Sequence, residues 1–253
     1  MKSGKALFFG LSAILTMLVF APMPALANHS WGGYHWARTA NPFNLKLGDN
    51  LLPSWDSYLT TTSNDWSQSA VLDTAVVSGN TTARKCRPTQ GRVEVCNNKY
   101  GSNGWLGVAS IWIYGGHIYQ GIVKVNDSYF NTSTYNTPAW KNMVMCQEVG
   151  HTLGLDHQDT DFYNLPLGSC MDYTANPTPN QHPNQHDYDQ LAEIYAHLDS
   201  TTTVNQIQQK GASRANDPEP KSFGKLVHKH GKNALYVQDL GKGHKIFTFV
   251  ILK

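Results

Sequence analysis

The segment MCQEVGHTLGLDH, residues 145 to 157, holds side chains that could bind a metal ion and move a proton. Gln147 and His151 are four residues apart, so on a helix they would share one face with their Cβ atoms about 6 Å apart. Glu148 lies beside them, where its carboxylate could reach a water molecule without binding the metal. Gly154 would allow a sharp turn, after which His157 could return as a third ligand. This spacing predicts a zinc site formed by Gln147, His151 and His157.

Gln147 is an unusual ligand for such a site. Zinc favours imidazole, thiolate and carboxylate groups, whereas a glutamine offers only a neutral amide oxygen. We therefore expect weaker zinc binding than three histidines would give. The neighbouring Cys146 is five positions from His151 and would point away from the chelating face. His117, His182 and His186 are the other candidate ligands. A lone loop histidine is, however, usually just solvated.

The same segment resembles the active-site segment of the matrixin-like metalloproteases, a branch of the metzincins, whose known pattern is HExxHxxGxxH followed by a methionine turn. Further along the chain, SCMDY is similar to that turn, in which Met171 would form an apolar floor beneath the metal. The resemblance covers about residues 34 to 199 and departs from the pattern at Gln147. The matching positions are Glu148, Gly150, His151, Leu153, Gly154, Leu155, Asp156 and His157.

This resemblance implies an α+β, zincin-like (metzincin) domain with a twisted mixed sheet and three helices, and the activity of an exported zinc-dependent endopeptidase. Glu148 would act as its general base. Tyr173, two residues after Met171, would approach the metal or the oxyanion, as in the astacin and serralysin branches. The alternative for Tyr173 is a core aromatic residue with a hydrogen-bonded hydroxyl.

The substrate of such an enzyme would be a protein or peptide. An edge strand within Trp105–Tyr114 would align it by strand addition, and residues 174 to 186 would form a wall of the specificity pocket. No cysteine precedes Cys86, so the cysteine-bearing propeptide that keeps many matrixins latent is missing, and any latency must arise in another way. Gln147 also fits a second class, a zincin-fold binding protein with little or no catalytic activity.

The first 27 residues are typical of a signal peptide. Lys2 and Lys5 precede an apolar run of about 15 residues, and small residues at Ala25 and Ala27 favour cleavage after Ala27. A membrane anchor is the alternative, but a span needs about 20 apolar residues. We expect a secreted or extracellular protein with no membrane span and no nucleic-acid partner.

Four cysteines in an exported chain indicate two disulfides, for which three connectivities exist. Cys86 and Cys96 could close a short loop. Pairing of Cys146 with Cys170 would tie the candidate zinc helix to the segment that carries Met171. We expect these two pairs.

Hydrophobic periodicity places the motif among three helices and four or five strands. The first helix would bury Trp55, Leu59 and Trp66 on one face, the second would run from Pro138 to Gly154, and the third from about residue 187 to 198. β-prone runs separated by Gly- and Asn-rich turns lie between the first two helices. The predicted main domain therefore spans residues 28 to 199.

The C-terminal part is predicted to form a linker, residues 200 to 220, and a small basic β meander, residues 221 to 253. Residues 28 to 199 hold nine Lys and Arg against fifteen Asp and Glu, whereas residues 200 to 253 hold nine against three. Such a tail could dock on the acidic domain or bind an anionic surface such as a cell-wall polymer. The apolar run IFTFVILK favours docking. The acidic loop with Asp159 and Asp161 could bind calcium or could simply be solvated.

Overall fold

The computed structural model describes residues 29 to 206 and 223 to 253. The predicted signal peptide, residues 1 to 27, and most of the predicted linker, residues 200 to 220, lie outside the described residues. Within the described ranges, no helix has the length and apolar character needed to cross a membrane.

These ranges contain nine strands and four helices, a mixed α+β architecture. The strands are β1 (His35–Trp36), β2 (Phe43–Asn50), β3 (Leu72–Ser78), β4 (Val93–Asn98), β5 (Trp105–Tyr114), β6 (His117–Asn126), β7 (Lys225–His230), β8 (Asn233–Gly241) and β9 (His244–Leu252). The helices are α1 (Pro53–Trp66), α2 (Asp127–Phe130), α3 (Pro138–Thr152) and α4 (Gln185–Ile194). The three predicted helices correspond to α1, α3 and α4. The fourth, α2, has only four residues, too few to show a helical repeat in the sequence.

Local sequence signals explain where the two helices nearest the motif begin. At the start of α3, the hydroxyl of Thr137 accepts a hydrogen bond from the backbone N–H of Trp140, which is a normal N-cap. Helix α4 begins with a reciprocal capping box between Asn184 and Asp187. It ends at Ile194, earlier than the predicted end at residue 198.

The strands form one sheet in the order β3-β2-β4-β6-β5-β9-β8-β7, and β1 pairs with β6. β2, β3, β4 and β6 are parallel, whereas β5 is antiparallel to both of its neighbours, β6 and β9. The predicted sheet of four or five strands and the predicted C-terminal meander are therefore parts of one sheet, which corrects the expected strand number. Because β9 pairs along the length of β5, the C-terminal strands extend the main sheet.

The main core lies between the sheet and helices α1 and α3. Part of the predicted linker also belongs to this domain. The hydroxyl of Thr203 donates a hydrogen bond to the carbonyl of Ile118 over 2.6 Å, and the N–H of Asn205 donates to the carbonyl of Gly91 over 2.8 Å. The predicted disulfides are both confirmed: Cys86 is bonded to Cys96, and Cys146 to Cys170.

Candidate metal centre and active site

Helix α3 carries three of the predicted site residues. Gln147, Glu148 and His151 are each no more than 1 % exposed. The helix packs on β5, and the carboxylate of Glu148 lies so close to Gly107 of that strand that a methyl group on Gly107 would collide with it. Three polar side chains are thus held inside the protein, next to the strand that was expected to align a substrate.

The chain reverses after α3 and brings His157 back to the helix. Gly154 makes this turn with a φ of +102°, a conformation that L side chains rarely adopt. The rings of His151 and His157 are 4.6 Å apart, at nearly right angles. Nδ1 of His157 lies 3.3 Å from the carboxylate of Asp156, and Nδ1 of His151 bonds the carbonyl of Leu155 over 2.9 Å. These contacts leave the Nε2 atoms as the nitrogens suited to a metal.

Burial sets the ionisation of this group. It lowers the pKa of His151 to about 3, with a further decrease from the neighbouring His157. His151 is therefore neutral at physiological pH, which is the form that binds metals. Burial also raises the pKa of Glu148 well above the ordinary range of a carboxyl group. A positive charge beside Glu148 would have the opposite effect and favour its ionised form.

The donor set fits a divalent cation. Both amide atoms of Gln147, both carboxylate oxygens of Glu148 and Nε2 of His157 are buried without a hydrogen-bond partner. A buried polar atom without a partner costs about 1–3 kcal/mol, so such atoms are rarely concentrated in one place. Imidazole nitrogens and a side-chain oxygen are donor types that zinc accepts, with Gln147 as the weakest donor of the three.

Met171 packs against α3 at Gly150, and its predicted place beneath a metal stays a prediction. A Cβ atom on Gly150 of α3 would be 2.5 Å from the sulfur of Met171 and 2.8 Å from the Trp66 ring, so only glycine fits there. The backbone N–H of Met171 donates to the hydroxyl of Ser169. The disulfide between Cys146 and Cys170 joins the helix to this turn.

Tyr173 lies beside His157, with the two ring centroids 6.2 Å apart. This tyrosine is 2 % exposed. Burial raises the pKa of its hydroxyl by more than the nearby backbone of Lys232 lowers it. The hydroxyl therefore stays protonated and able to donate a hydrogen bond. Its predicted catalytic role stays a prediction.

The other candidate ligands have different partners. His117 and His182 lie 3.1 Å and 2.7 Å from the carboxylates of Asp199 and Asp65. The carboxylates of Asp159 and Asp161 accept backbone N–H groups of their own loop, and calcium binding by them stays a prediction.

No protein-family model matches the chain, and no curated protein matches it. Among solved structures, the chain is similar to "Structure of Myroilysin", with 14% sequence identity and a TM-score of 0.38 over 63% of this chain and 82% of that one. It is also similar to "Crystal structure of myroilysin", with 15% identity and a TM-score of 0.35 over 74% of this chain and 100% of that one. These values assign no family, so the functional proposal depends on the residues of the site.

Strand β9 covers the candidate site. The ring of Phe249 stacks on that of His151, with centroids 4.2 Å apart and planes at 11°. The prediction of β5 as a free edge strand is wrong for this structure, because β9 pairs with its outer edge. The tail thus docks on the main domain through strand pairing and apolar packing, and its binding to an anionic surface stays a prediction. The apolar run of residues 246 to 252 was the sequence signal for this strand, but it did not reveal the strand's partner.

Proposed function

We propose that the protein is an exported zinc-dependent endopeptidase. The observation that carries this proposal is the buried group on and after α3. In it, His151 and His157 lie 4.6 Å apart, next to an acid, Glu148, whose carboxylate oxygens have no hydrogen-bond partner. Export is supported by the two disulfides, which are typical of oxidising compartments.

The residues have separate tasks in this proposal. Gln147, His151 and His157 would hold zinc, which when bound supplies Lewis acidity toward the scissile carbonyl group. Glu148 accepts a proton from the attacking water at its carboxylate and then passes it to the leaving amine. Burial raises the pKa of this carboxyl group, and a zinc ion beside it would favour the ionised form that accepts the proton. Tyr173, kept protonated by burial, would donate a hydrogen bond to the oxyanion.

Digestion of casein tests the proposal. We expect the protein to release soluble peptides in the presence of zinc, and a zinc chelator to stop the release. Glu148→Gln should abolish hydrolysis while zinc content is retained, because this residue is not a ligand. Glu193→Gln, the same change at an exposed acid of α4, is the matched control and should leave hydrolysis unchanged. Equal, measurable release by Glu148→Gln and the unmodified protein would contradict the proposal.

The second candidate is a peptide-binding protein that does not cut. It is favoured by Gln147, the weakest of the candidate ligands, and by the strand that covers the site. In this case the protein would bind zinc and extended peptides but release no peptides from casein. Neither chelation nor Glu148→Gln would then change the result of the assay. The same assay therefore separates the two functions.

A further inference from the structure

A second group of side chains that could bind a metal lies where the segment that begins at His29 meets the start of α4. Its members are His29, His186 and Asp187, and one ligand atom from each lies within 4.8 Å of the others. The rings of His29 and His186 are stacked, with centroids 4.9 Å apart. His29 is 4 % exposed and Asp187 is fully buried.

The hydrogen bonds of this group leave one atom of each residue facing the others. Nδ1 of His29 bonds the carbonyl of Asp156 over 2.9 Å, so this nitrogen is the donor and Nε2 of a neutral ring carries a lone pair. One carboxylate oxygen of Asp187 accepts from the hydroxyl of Ser169 over 2.6 Å. The atoms that remain, all buried and without a hydrogen-bond partner, are Nε2 of His29, Nδ1 of His186 and Oδ1 of Asp187.

The separation of these atoms suits a metal better than a hydrogen bond. Nε2 of His29 is 3.7 Å from Oδ1 of Asp187, beyond hydrogen-bond distance. Two ligands of a tetrahedral zinc ion, each about 2.1 Å from it, are about 3.4 Å apart. A cation between the lone pair and the carboxylate oxygen would bind both atoms, whereas a proton on either one would be too far from the other for a hydrogen bond.

A similar group elsewhere in the structure shows the contrast. His35, His117 and Asp199 also have ligand atoms within 4.8 Å of one another. There, Nε2 of His117 lies 3.1 Å from the carboxylate of Asp199, and the guanidinium of Arg38 bonds the same carboxylate over 2.9 Å. The charge of this second carboxylate already has protein partners, so a metal is not required.

We propose that Nε2 of His29, Nδ1 of His186 and Oδ1 of Asp187 form a second zinc site, with a structural role. Its ligands connect three parts of the chain, because His29 bonds Asp156 next to the candidate ligand His157, and Asp187 bonds Ser169 of the methionine turn. The site would hold together the segment that begins at His29, the loop after α3 and the start of α4.

Counting zinc in a set of variants tests this site independently of catalysis. Equilibrium dialysis against zinc should load the unmodified chain with about two ions, and the His151→Ala, His157→Ala double variant with about one. Adding His186→Ala to the double variant should remove the last ion, and His228→Ala, at an exposed histidine of β7, is the matched control. His186→Leu repeats the test with a bulkier side chain that cannot bind zinc, if the alanine variant does not fold.

The melting temperature gives a second measurement. Zinc should raise it in the double variant, because a ligand that binds only the folded state stabilises that state, and His186→Ala should remove the increase. The proposal is wrong if the double variant binds no zinc, or if His186→Ala leaves its zinc content unchanged. Either result leaves the proposed peptidase function untouched.

A different observation, the position of the C-terminal strands, carries a second inference. Strand β9 is antiparallel to β5, and the hydroxyls of Ser110 and Thr248 lie 2.9 Å apart where the two strands meet. Phe249 lies on His151, and Ile251 lines a cleft beside Tyr173. β9 therefore lies where an extended peptide would pair with β5.

The turn between β7 and β8 covers the other side of this cleft. Nδ1 of His230 bonds the carbonyl of Thr160 over 2.7 Å, and the ammonium of Lys232 lies 4.8 Å from the centre of the Phe162 ring. A Cβ on Gly231 would be 3.1 Å from the ring of Tyr173. The tail thus contacts His151 and Tyr173 together.

We infer, on the basis of the proposed function, that β8 and β9 occupy the substrate groove and keep the enzyme latent. The tail also indicates the substrate class: an extended peptide that pairs antiparallel with β5 and places an apolar side chain where Phe249 lies. Cleavage of the chain between residues 207 and 222 would free the tail to leave. This form of latency needs no cysteine before Cys86.

A full chain with a site for a sequence-specific protease in residues 207 to 222 tests the inference. Cutting it should increase the rate of casein hydrolysis, and an excess of a synthetic peptide of residues 223 to 253 should reverse the increase. Equal, measurable rates before and after cutting would refute latency and leave the peptidase intact. If neither form hydrolyses casein with zinc present, the proposed function fails, and latency fails with it.

Discussion

Replacing Cys146 and Cys170 by alanine should both destabilise the protein and weaken its candidate metal centre. This disulfide joins α3, one residue before Gln147, to the turn that carries Met171. The disulfide between Cys86 and Cys96 lies at β4, in an apolar cluster separate from the one that holds Cys146 and Cys170. The chain therefore contains its own control for the loss of a cross-link.

The magnitudes follow from the lengths of the two loops. A cross-link reduces the conformational entropy of the unfolded chain by an amount that grows with the logarithm of loop length. The sequence separation of 24 for Cys146–Cys170 corresponds to about 3.5 kcal/mol. The separation of 10 for Cys86–Cys96 corresponds to about 2.7 kcal/mol. All four cysteines are at most 1 % exposed, so the cavities left by alanine are similar and the difference should be about 0.8 kcal/mol.

Urea unfolding of both double variants, together with zinc titration against a chromophoric chelator, checks this prediction. We expect the Cys146, Cys170 variant to be the less stable and to bind zinc more weakly, and the Cys86, Cys96 variant to keep the zinc affinity of the unmodified protein. The reasoning would be refuted if the Cys86, Cys96 variant lost more stability, or if both lost zinc affinity equally.

Three further predictions concern single residues. Gln147→His should lower the zinc dissociation constant because imidazole is the better donor, and equal competition by a chelator in both forms would show that Gln147 is not a ligand. Gly150→Ala should lower the free energy of unfolding by about 1–3 kcal/mol, measured in urea, because the new methyl group collides with Met171. Burial alone would raise the pKa of Asp199, but hydrogen bonds from the Arg38 backbone and His35 lower it overall. The stability that Asp199 contributes is therefore present above its unfolded pKa of about 3.9 and is lost as the pH falls through the lower folded pKa. Asp199→Asn should therefore reduce the loss of stability below pH about 4, and acid unfolding identical to that of the unmodified protein would contradict this.

The approach of His157 to His151 could be predicted because its geometry is local. Gln147 and His151 are one helical turn apart on α3, and Gly154 makes the turn that returns His157 to His151. The short disulfide loop and the helix starts at capping residues are local in the same sense.

The rest of the arrangement depends on contacts between distant parts of the chain. The bond between Ser110 and Thr248 crosses a separation of 138 residues, and any β-prone run of similar length could have paired with β5 as far as the sequence shows. His29 donates its backbone N–H to Gln190 across 161 residues. A lone histidine before a glycine-rich loop gives no local signal of such a partner.

The C-terminal strands also decide which strand ends the sheet. Without them, β5 would be the last strand on that side, and its largely buried, apolar residues would lie at an unpaired edge. Such edges promote aggregation by pairing with other chains. With them, the last strand is β7, whose six residues are all exposed and include Lys225 and Lys229, and charged side chains at an edge discourage this pairing. Release of the tail would thus exchange a protected edge for one prone to self-association, so the freed protein should have a short lifetime in concentrated solution.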